Sequence, residues 1–283
     1  MGLVNDIVGL YREAATLLPE DVVDGLSRAA SVENDSTSAD VLKDILENIK
    51  LAKDEGKPMC QDTGTPIFFV SYSNKFSQKE LKWAIVEATK IATTEIPLRP
   101  NAVDPLSGKN TGGNEPVIYF EEWDKEGLQI DLMLKGGGSE NIGREYKLPD
   151  DSLKSGRDVD GIRKCVIDAM FKAQGKGCSP NIIGVGIGGV KEQAIILAKQ
   201  QLLRRLDDKN SDFELDKIED ELLIDVNKLG IGALGLGGRV SALGVKVGKQ
   251  MRHPASFFVA VSFMCWASRR KRLVVEGDEI KIE

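Results

Sequence analysis

Aromatic side chains are scarce, at 6% of the chain, so aliphatic residues must fill any core. Positive charge does not predominate either. The net charge is −6, which argues against nucleic acid as a main partner, because a phosphate backbone needs a basic surface. No apolar run approaches the length of a transmembrane helix, so no membrane partner is expected. The stretch Met1-Gly2-Leu3-Val4-Asn5-Asp6 lacks the basic and apolar regions of a secretory signal, and a cytoplasmic location is expected. Closely paired cysteines are absent too. Cys60, Cys165, Cys178 and Cys265 contain no C-x-x-C, which disfavours a zinc ribbon or a ferredoxin-type cluster. In a reducing compartment a special cysteine is a ligand or a nucleophile rather than half of a disulfide.

What is present is a globular profile: 283 residues, 41% hydrophobic and 29% charged. That length serves one large domain or two ordinary ones. No internal repeat or clear linker appears, so one intertwined domain or two closely packed lobes is expected. Apolar periodicity predicts helices over Val4–Leu18, Asp21–Ala30 and Ala39–Glu55. It predicts others over Gln78–Ile96 behind a Ser77 cap, Asp158–Ala173, Val190–Arg205, and the acidic stretch running on into Leu222–Leu229. Ile67–Val70, Phe257–Phe263, Arg272–Val275 and Glu279–Ile282 read as strands, and Val117–Trp123 with Leu128–Leu134 as a hairpin. A short helix is expected after the glycine-rich Gly230–Gly238. The fold class is mixed α+β and helix-rich, with helices packed around small mixed or antiparallel sheets.

Several stretches carry more chemistry than a fold needs. "KPMCQDTGTPIFFV" sets Cys60, Gln61, Asp62 and Thr63 in a row before an apolar strand. The long polar segment Pro97–Pro116 contains Arg99, either a bidentate carboxylate clamp or a surface arginine. "KGGGSEN", Lys135 to Asn141, is a flexible loop or a place where bare backbone approaches an anion. His253, the single histidine, stands at a strand entrance and is structural or substrate-binding. Arg269-Arg270-Lys271-Arg272 reads as a solvated strand edge or a partner contact. Cys165 lies mid-helix and reads as a small buried hydrophobe.

The other three cysteines are far apart in sequence and converge on a metal only if the fold brings them together. Three thiolates on a cubane cluster would leave one iron open as a Lewis acid. "GVGIGG", Gly184 to Gly189, satisfies a dinucleotide-type pattern, with Asp207 and Asp208 beyond it; the other reading is close backbone packing.

Taken together these segments resemble the alpha chain of the class I, iron–sulfur-dependent fumarate hydratases and L(+)-tartrate dehydratases. The resemblance covers essentially all of residues 1–283. It is carried by "MCQDTGTP", "LRPNAVDPLSGKNTGGN", "KGGGSEN", "CSPNIIGVGIGG", "GLGG" and "RHPASFFVAVSFMCWASRR" in order. It implies a fumarase class I alpha-chain fold and a [4Fe–4S] cluster on Cys60, Cys178 and Cys265. It implies hydration of fumarate to L-malate, or tartrate dehydration as the alternative. Asp62 and Gln61 match family residues beside the cluster, with Asp62 assisting proton abstraction. Arg99, Gly137, Gly138 and His253 match residues that line or bind a dicarboxylate. The family's catalytic threonine lies in a beta part with no equivalent here, so a beta subunit is expected in a hetero-oligomer with alpha–alpha contacts.

Overall fold

The computed structural model describes residues 2–277 and 279–283. In chain order its elements are α1 (Gly2–Thr16), α2 (Glu20–Val32), α3 (Ser36–Glu55), β1 (Thr65–Tyr72), α4 (Gln78–Glu95), β2 (Val117–Glu122), β3 (Leu128–Lys135), α5 (Gly137–Asn141), β4 (Arg144–Lys147), α6 (Val159–Ala173), β5 (Asn181–Gly188), α7 (Lys191–Gln201), α8 (Phe213–Asn227), β6 (Ala242–Gln250), β7 (Phe258–Met264), β8 (Arg270–Glu276) and β9 (Glu279–Ile282). The mixed α+β expectation holds. The chain divides into two compact units, each assembled from discontinuous segments. The first comprises Met1–Pro19, Glu47–Gly137 and Ala267–Glu283; the second comprises Glu20–Leu46 and Gly138–Trp266.

The first unit is a five-stranded sheet in the order β2-β1-β3-β8-β9. Ile7, Leu10, Tyr11 and Ala14 recur at three- and four-residue spacing and give α1 one apolar face. That face packs with Ala84, Ile85 and Ala88 of α4 and with Phe68, Val70, Ile130 and Leu132 of the sheet. Tyr11 meets the Phe68 ring edge-on at 5.6 Å and bonds Thr89 Oγ1 at 2.7 Å, so its polar tip is satisfied inside the core. Ser77 caps α4 by accepting from the Glu80 N–H.

The expected hairpin does not form. β1 lies between its two strands, parallel to β2 and antiparallel to β3. Pro66 to Val70 are buried without interruption, and a strand apolar on both faces takes an interior position. Half-exposed β2 takes the edge. The connection from β2 to β3 crosses the end of β1, where Trp123 N–H meets Tyr72 O and Ser73 N–H meets Gly127 O, both at 3.0 Å.

The basic run is not a solvated strand edge. β8 is interior to the sheet, paired to β3 along Arg270–Val275 and to β9 along Leu273–Glu276. Arg269 and Arg270 are buried, Lys271 pairs with Glu13 at 3.1 Å, and Arg272 pairs with Asp131 at 2.6 Å.

The second unit is a four-stranded sheet in the order β4-β7-β5-β6, with β5–β6 parallel. Its core joins Val185, Val247 and Val261 to Val166 and Met170 of α6 and Leu222 and Val226 of α8. "GVGIGG" is not a phosphate-cradling turn. Gly184 and Gly186 lie inside β5, and α7 begins only at Lys191. A Cβ on Gly184 would stand 2.1 Å from Ala198 O, and one on Gly186 2.1 Å from Ala194 O. These glycines let α7 press on the strand, so the close-packing reading is the correct one. The short helix expected after Gly238 is instead strand β6, whose Val245 and Val247 face inward; only a 3-10 turn, Ala233–Gly235, interrupts the glycine-rich loop. Short β4 was not expected from the sequence.

Among the described residues no helix is long and apolar enough to cross a membrane.

Candidate active site

In the first unit, Cys60-Gln61-Asp62-Thr63 forms the bend that feeds β1. Asn48 Nδ2 donates to Met59 O at 2.9 Å and anchors the entry. Gly64 has φ +85°, and a Cβ there would lie 2.7 Å from the Leu134 carbonyl carbon, so glycine is required where the bend meets β3. Buried Thr63 accepts at Oγ1 from Arg99 N–H at 3.0 Å, and Asn101 Nδ2 donates to Gly64 O at 3.2 Å. Asn114 Nδ2 in turn donates to Arg99 O at 3.2 Å. The long polar segment is therefore ordered, and its base is tied to the Asp62 bend. Asp104 organises its tip by accepting from the Ser107 N–H at 2.7 Å.

The Asp62 carboxylate accepts from Gly64 N–H at 3.0 Å through Oδ1 and from Gly137 N–H at 2.8 Å through Oδ2. Its orientation is fixed by two segments at once, and each oxygen keeps acceptor capacity. Gln61 and Arg99 are exposed. The Arg99 guanidinium has no acidic partner among the described residues, which leaves its fork available for a carboxylate. The structure thus brings Gln61, Asp62, Arg99 and Gly137 together with Cys60.

In the second unit, Cys178 is exposed and adopts the left-handed conformation, φ 55° and ψ 63°. A non-glycine residue there is strained and needs surroundings that hold it. Several groups do so. Cys178 N–H donates to Gly175 O at 3.1 Å, and Trp266 N–H donates to Cys178 O at 3.1 Å. Trp266 follows Cys265, so the two cysteine segments are joined directly. Fully buried Asn181 braces both, donating to Gly177 O at 2.9 Å and Met264 O at 3.2 Å. Ser179 Oγ donates to Gly232 O at 2.7 Å, and Leu234 N–H to Ser179 O at 2.8 Å, so the Gly230–Gly238 loop buttresses the turn. Glu33 secures that loop by accepting from the Arg239 and Val240 N–H groups. Burial pushes its carboxyl up, but donors from Asp35, Arg239, Asn34 and Val240 outweigh this and hold its pKa below the ordinary glutamate value. Gly138 lies against Lys176 O, where a Cβ would sit 3.4 Å away.

His253 is exposed on a turn preceding β7. Its Nδ1 accepts from Ala255 N–H at 3.1 Å, which leaves Nε2 as the donor. Arg157 clamps the turn through Ala255 O at 2.9 Å, and Arg252 through Pro254 O at 3.0 Å. The sequence reading missed Asn181, Arg157 and Arg269 as supports. An asparagine between a proline and an apolar strand was the one visible signal, since a buried amide must find partners.

The donor set fits an iron–sulfur group. Cys178 and Cys265 are unbridged and adjacent in the second unit, Cys60 is unbridged in the first, and soft thiolates suit iron–sulfur clusters. Among the described residues no group of three His, Cys, Asp or Glu side chains is already gathered as a metal site, so the fit rests on the chemistry of the donors. Cys165 is unsuited. Its burial, with Asp150 and Asp168 nearby, pushes the thiol up to about 12, so it stays protonated.

A family model described as Fumarate hydratase (Fumerase) matches residues 4–274. A putative fumarate hydratase class I of Geobacillus stearothermophilus is 45% identical over 290 residues, covering 99% of this chain and 56% of that protein. A putative L(+)-tartrate dehydratase subunit alpha of Methanocaldococcus jannaschii is 40% identical over 289 residues, 98% of this chain and 99% of the relative. The L(+)-tartrate dehydratase subunit alpha of Escherichia coli (strain K12) is 33% identical over 270 residues, 93% of this chain and 88% of the relative. The chain therefore spans just over half of the Geobacillus protein and nearly all of the two alpha subunits.

Proposed function

Because the chain belongs to the fumarate hydratase (Fumerase) family, we propose that it is the alpha subunit of a [4Fe–4S]-dependent hydro-lyase that interconverts fumarate and L-malate. The observation that carries this is the Asp62 carboxylate, held by two backbone donors in the bend that also positions Arg99. Cys60, Cys178 and Cys265 would hold the cluster. When bound, a cluster on three thiolates supplies an open iron as Lewis acid toward the C2 hydroxyl.

The chain's own residues have separable tasks. Arg99 pairs with a substrate carboxylate through its planar fork. His253 donates from Nε2 to the same class of acceptor. Gln61 offers amide donors and an acceptor beside the reacting carbons, and Gly137 and Gly138 let main chain approach the ligand closely. Asp62 assists transfer of the C3 proton. Fixed cations near the substrate stabilise negative charge as that proton leaves.

The full catalytic set requires a beta subunit in a hetero-oligomer with alpha–alpha contacts, in a cytoplasmic setting. The alpha subunits from M. jannaschii and E. coli, matched over nearly their full lengths, support a separate partner. The same two relatives support a second reading, L(+)-tartrate dehydration. The Geobacillus relative, at higher identity, favours fumarate. Anaerobic co-expression with candidate beta chains, assayed on fumarate, malate and tartrate, separates them. We expect the highest kcat/KM on fumarate and malate. Preference for tartrate would establish the second reading, and turnover of none of the three would sink both.

A further inference from the structure

We propose that Arg269 is a positioning residue for Asp62, an inference that rests on the hydro-lyase reading above. Arg269 is among the largest fully buried side chains, at 1% exposure. No carboxylate pairs with it among the described residues. Its Nη1 donates to the Asp62 carbonyl oxygen at 2.5 Å, and its buried Nε has no partner. Burying a guanidinium without a counter-ion is costly, and an apolar residue would fill the same space at a smaller desolvation penalty. The group that the guanidinium does bond is the main chain of Asp62.

The rest of the geometry explains what that hydrogen bond achieves. Arg269 is fixed at the entrance of β8, where its carbonyl accepts from Leu134 N–H at 2.9 Å. Leu134 is also the residue against which Gly64 is pressed. Arg269 therefore reaches the bend from the strand that backs it, and holds the peptide plane between Asp62 and Thr63. With that plane fixed, the Asp62 carboxylate meets both Gly64 N–H and Gly137 N–H. The next basic residues do something else. Lys271 and Arg272 form ion pairs with Glu13 and Asp131, elsewhere on the unit.

Arg269→Lys keeps the charge but shortens the reach and removes the fork; Arg269→Ala removes both. In the complex with its partner subunit we expect Arg269→Lys to lower kcat for fumarate hydration by at least ~10-fold with KM changed less than ~3-fold, since small misplacements cost rate rather than affinity. Added guanidinium should restore part of the Arg269→Ala activity. In the cluster-free full chain, amide exchange at Gly64 and Gly137 should speed up in Arg269→Lys, while Phe68 to Val70 exchange as in wild type. Arg272→Lys should change neither amide. Wild-type kcat with unchanged Gly64 and Gly137 exchange in Arg269→Lys would overturn the proposal. So would acceleration spread evenly across the sheet, which marks a purely structural role. Where Arg269→Ala does not fold, Arg269→Lys decides. If the wild-type complex does not hydrate fumarate, the fumarate reading fails, while the exchange comparison still tests the grip on Asp62.

Discussion

Asp62 and Cys178 both lie on bends that feed a strand, yet they are secured differently. Around Asp62 the tethers are mostly side chains from distant segments: Thr63 to Arg99, Asn101 to Gly64, Arg269 to Asp62 itself. The Asp62 carboxylate is itself part of this network. Around Cys178 the main chain does more of the work. Cys178 turns through a left-handed conformation, its carbonyl meets Trp266, and a glycine-rich loop backs the turn. Asn181 and Ser179 add side-chain braces there, but these grip neighbouring peptides. A group that must present a carboxylate at one angle needs directional bonds. A thiol ligand needs its backbone placed and its sulfur left accessible.

The largest effect that sharpens this comparison comes from Asp62→Asn. We expect kcat to fall roughly 10²–10⁴-fold, the usual weight of a proton-transfer residue, with a smaller loss of thermal midpoint, because the amide can accept from only one of the Gly64 and Gly137 N–H groups. A variant that keeps wild-type kcat would remove Asp62 from the chemistry. Gly186→Ala attacks the other unit through packing. Its Cβ has nowhere to go against Ala194 O, so urea unfolding should show a loss of about 1–3 kcal/mol. An unchanged denaturation midpoint would show that α7 can move aside.

The smallest effect is a pH dependence at Glu33. Its folded pKa is depressed, so its stabilisation is present above the unfolded value and is lost as pH falls through the folded one. The difference in thermal midpoint between wild type and Glu33→Gln should therefore shrink as pH drops below about 4.3, the ordinary glutamate value. A difference that grows on acidification would reverse the sign and exclude this carboxylate as the loop's anchor.

Much of the fold was legible because periodicity reports burial. The face of α1, the Ser77 cap of α4, the Asp158 end of α6 and the final strand β9 follow from local sequence alone. Strand order was not legible. Val117 to Trp123 and Leu128 to Leu134 have a hairpin's spacing, but nothing local reveals that β1 intervenes. "GVGIGG" misleads for a related reason, because a glycine for a phosphate and a glycine for a helix look alike until the helix is placed. The candidate site was half legible. The polar run at Cys60 and the loop at Arg99 stand out by composition, whereas Arg269 hid inside a basic cluster that composition reads as exposed.

The central proposal is that the thiolates of Cys60, Cys178 and Cys265 hold a cluster. Iron and sulfide content with visible absorption, measured anaerobically on wild type and on single Cys→Ser variants, tests it most directly. The account predicts about four irons per chain in wild type and in Cys165→Ser, as in a cubane cluster. It predicts loss of the cluster in Cys60→Ser, Cys178→Ser and Cys265→Ser. A full cluster in any of those three, or its loss in Cys165→Ser, would contradict the ligand set.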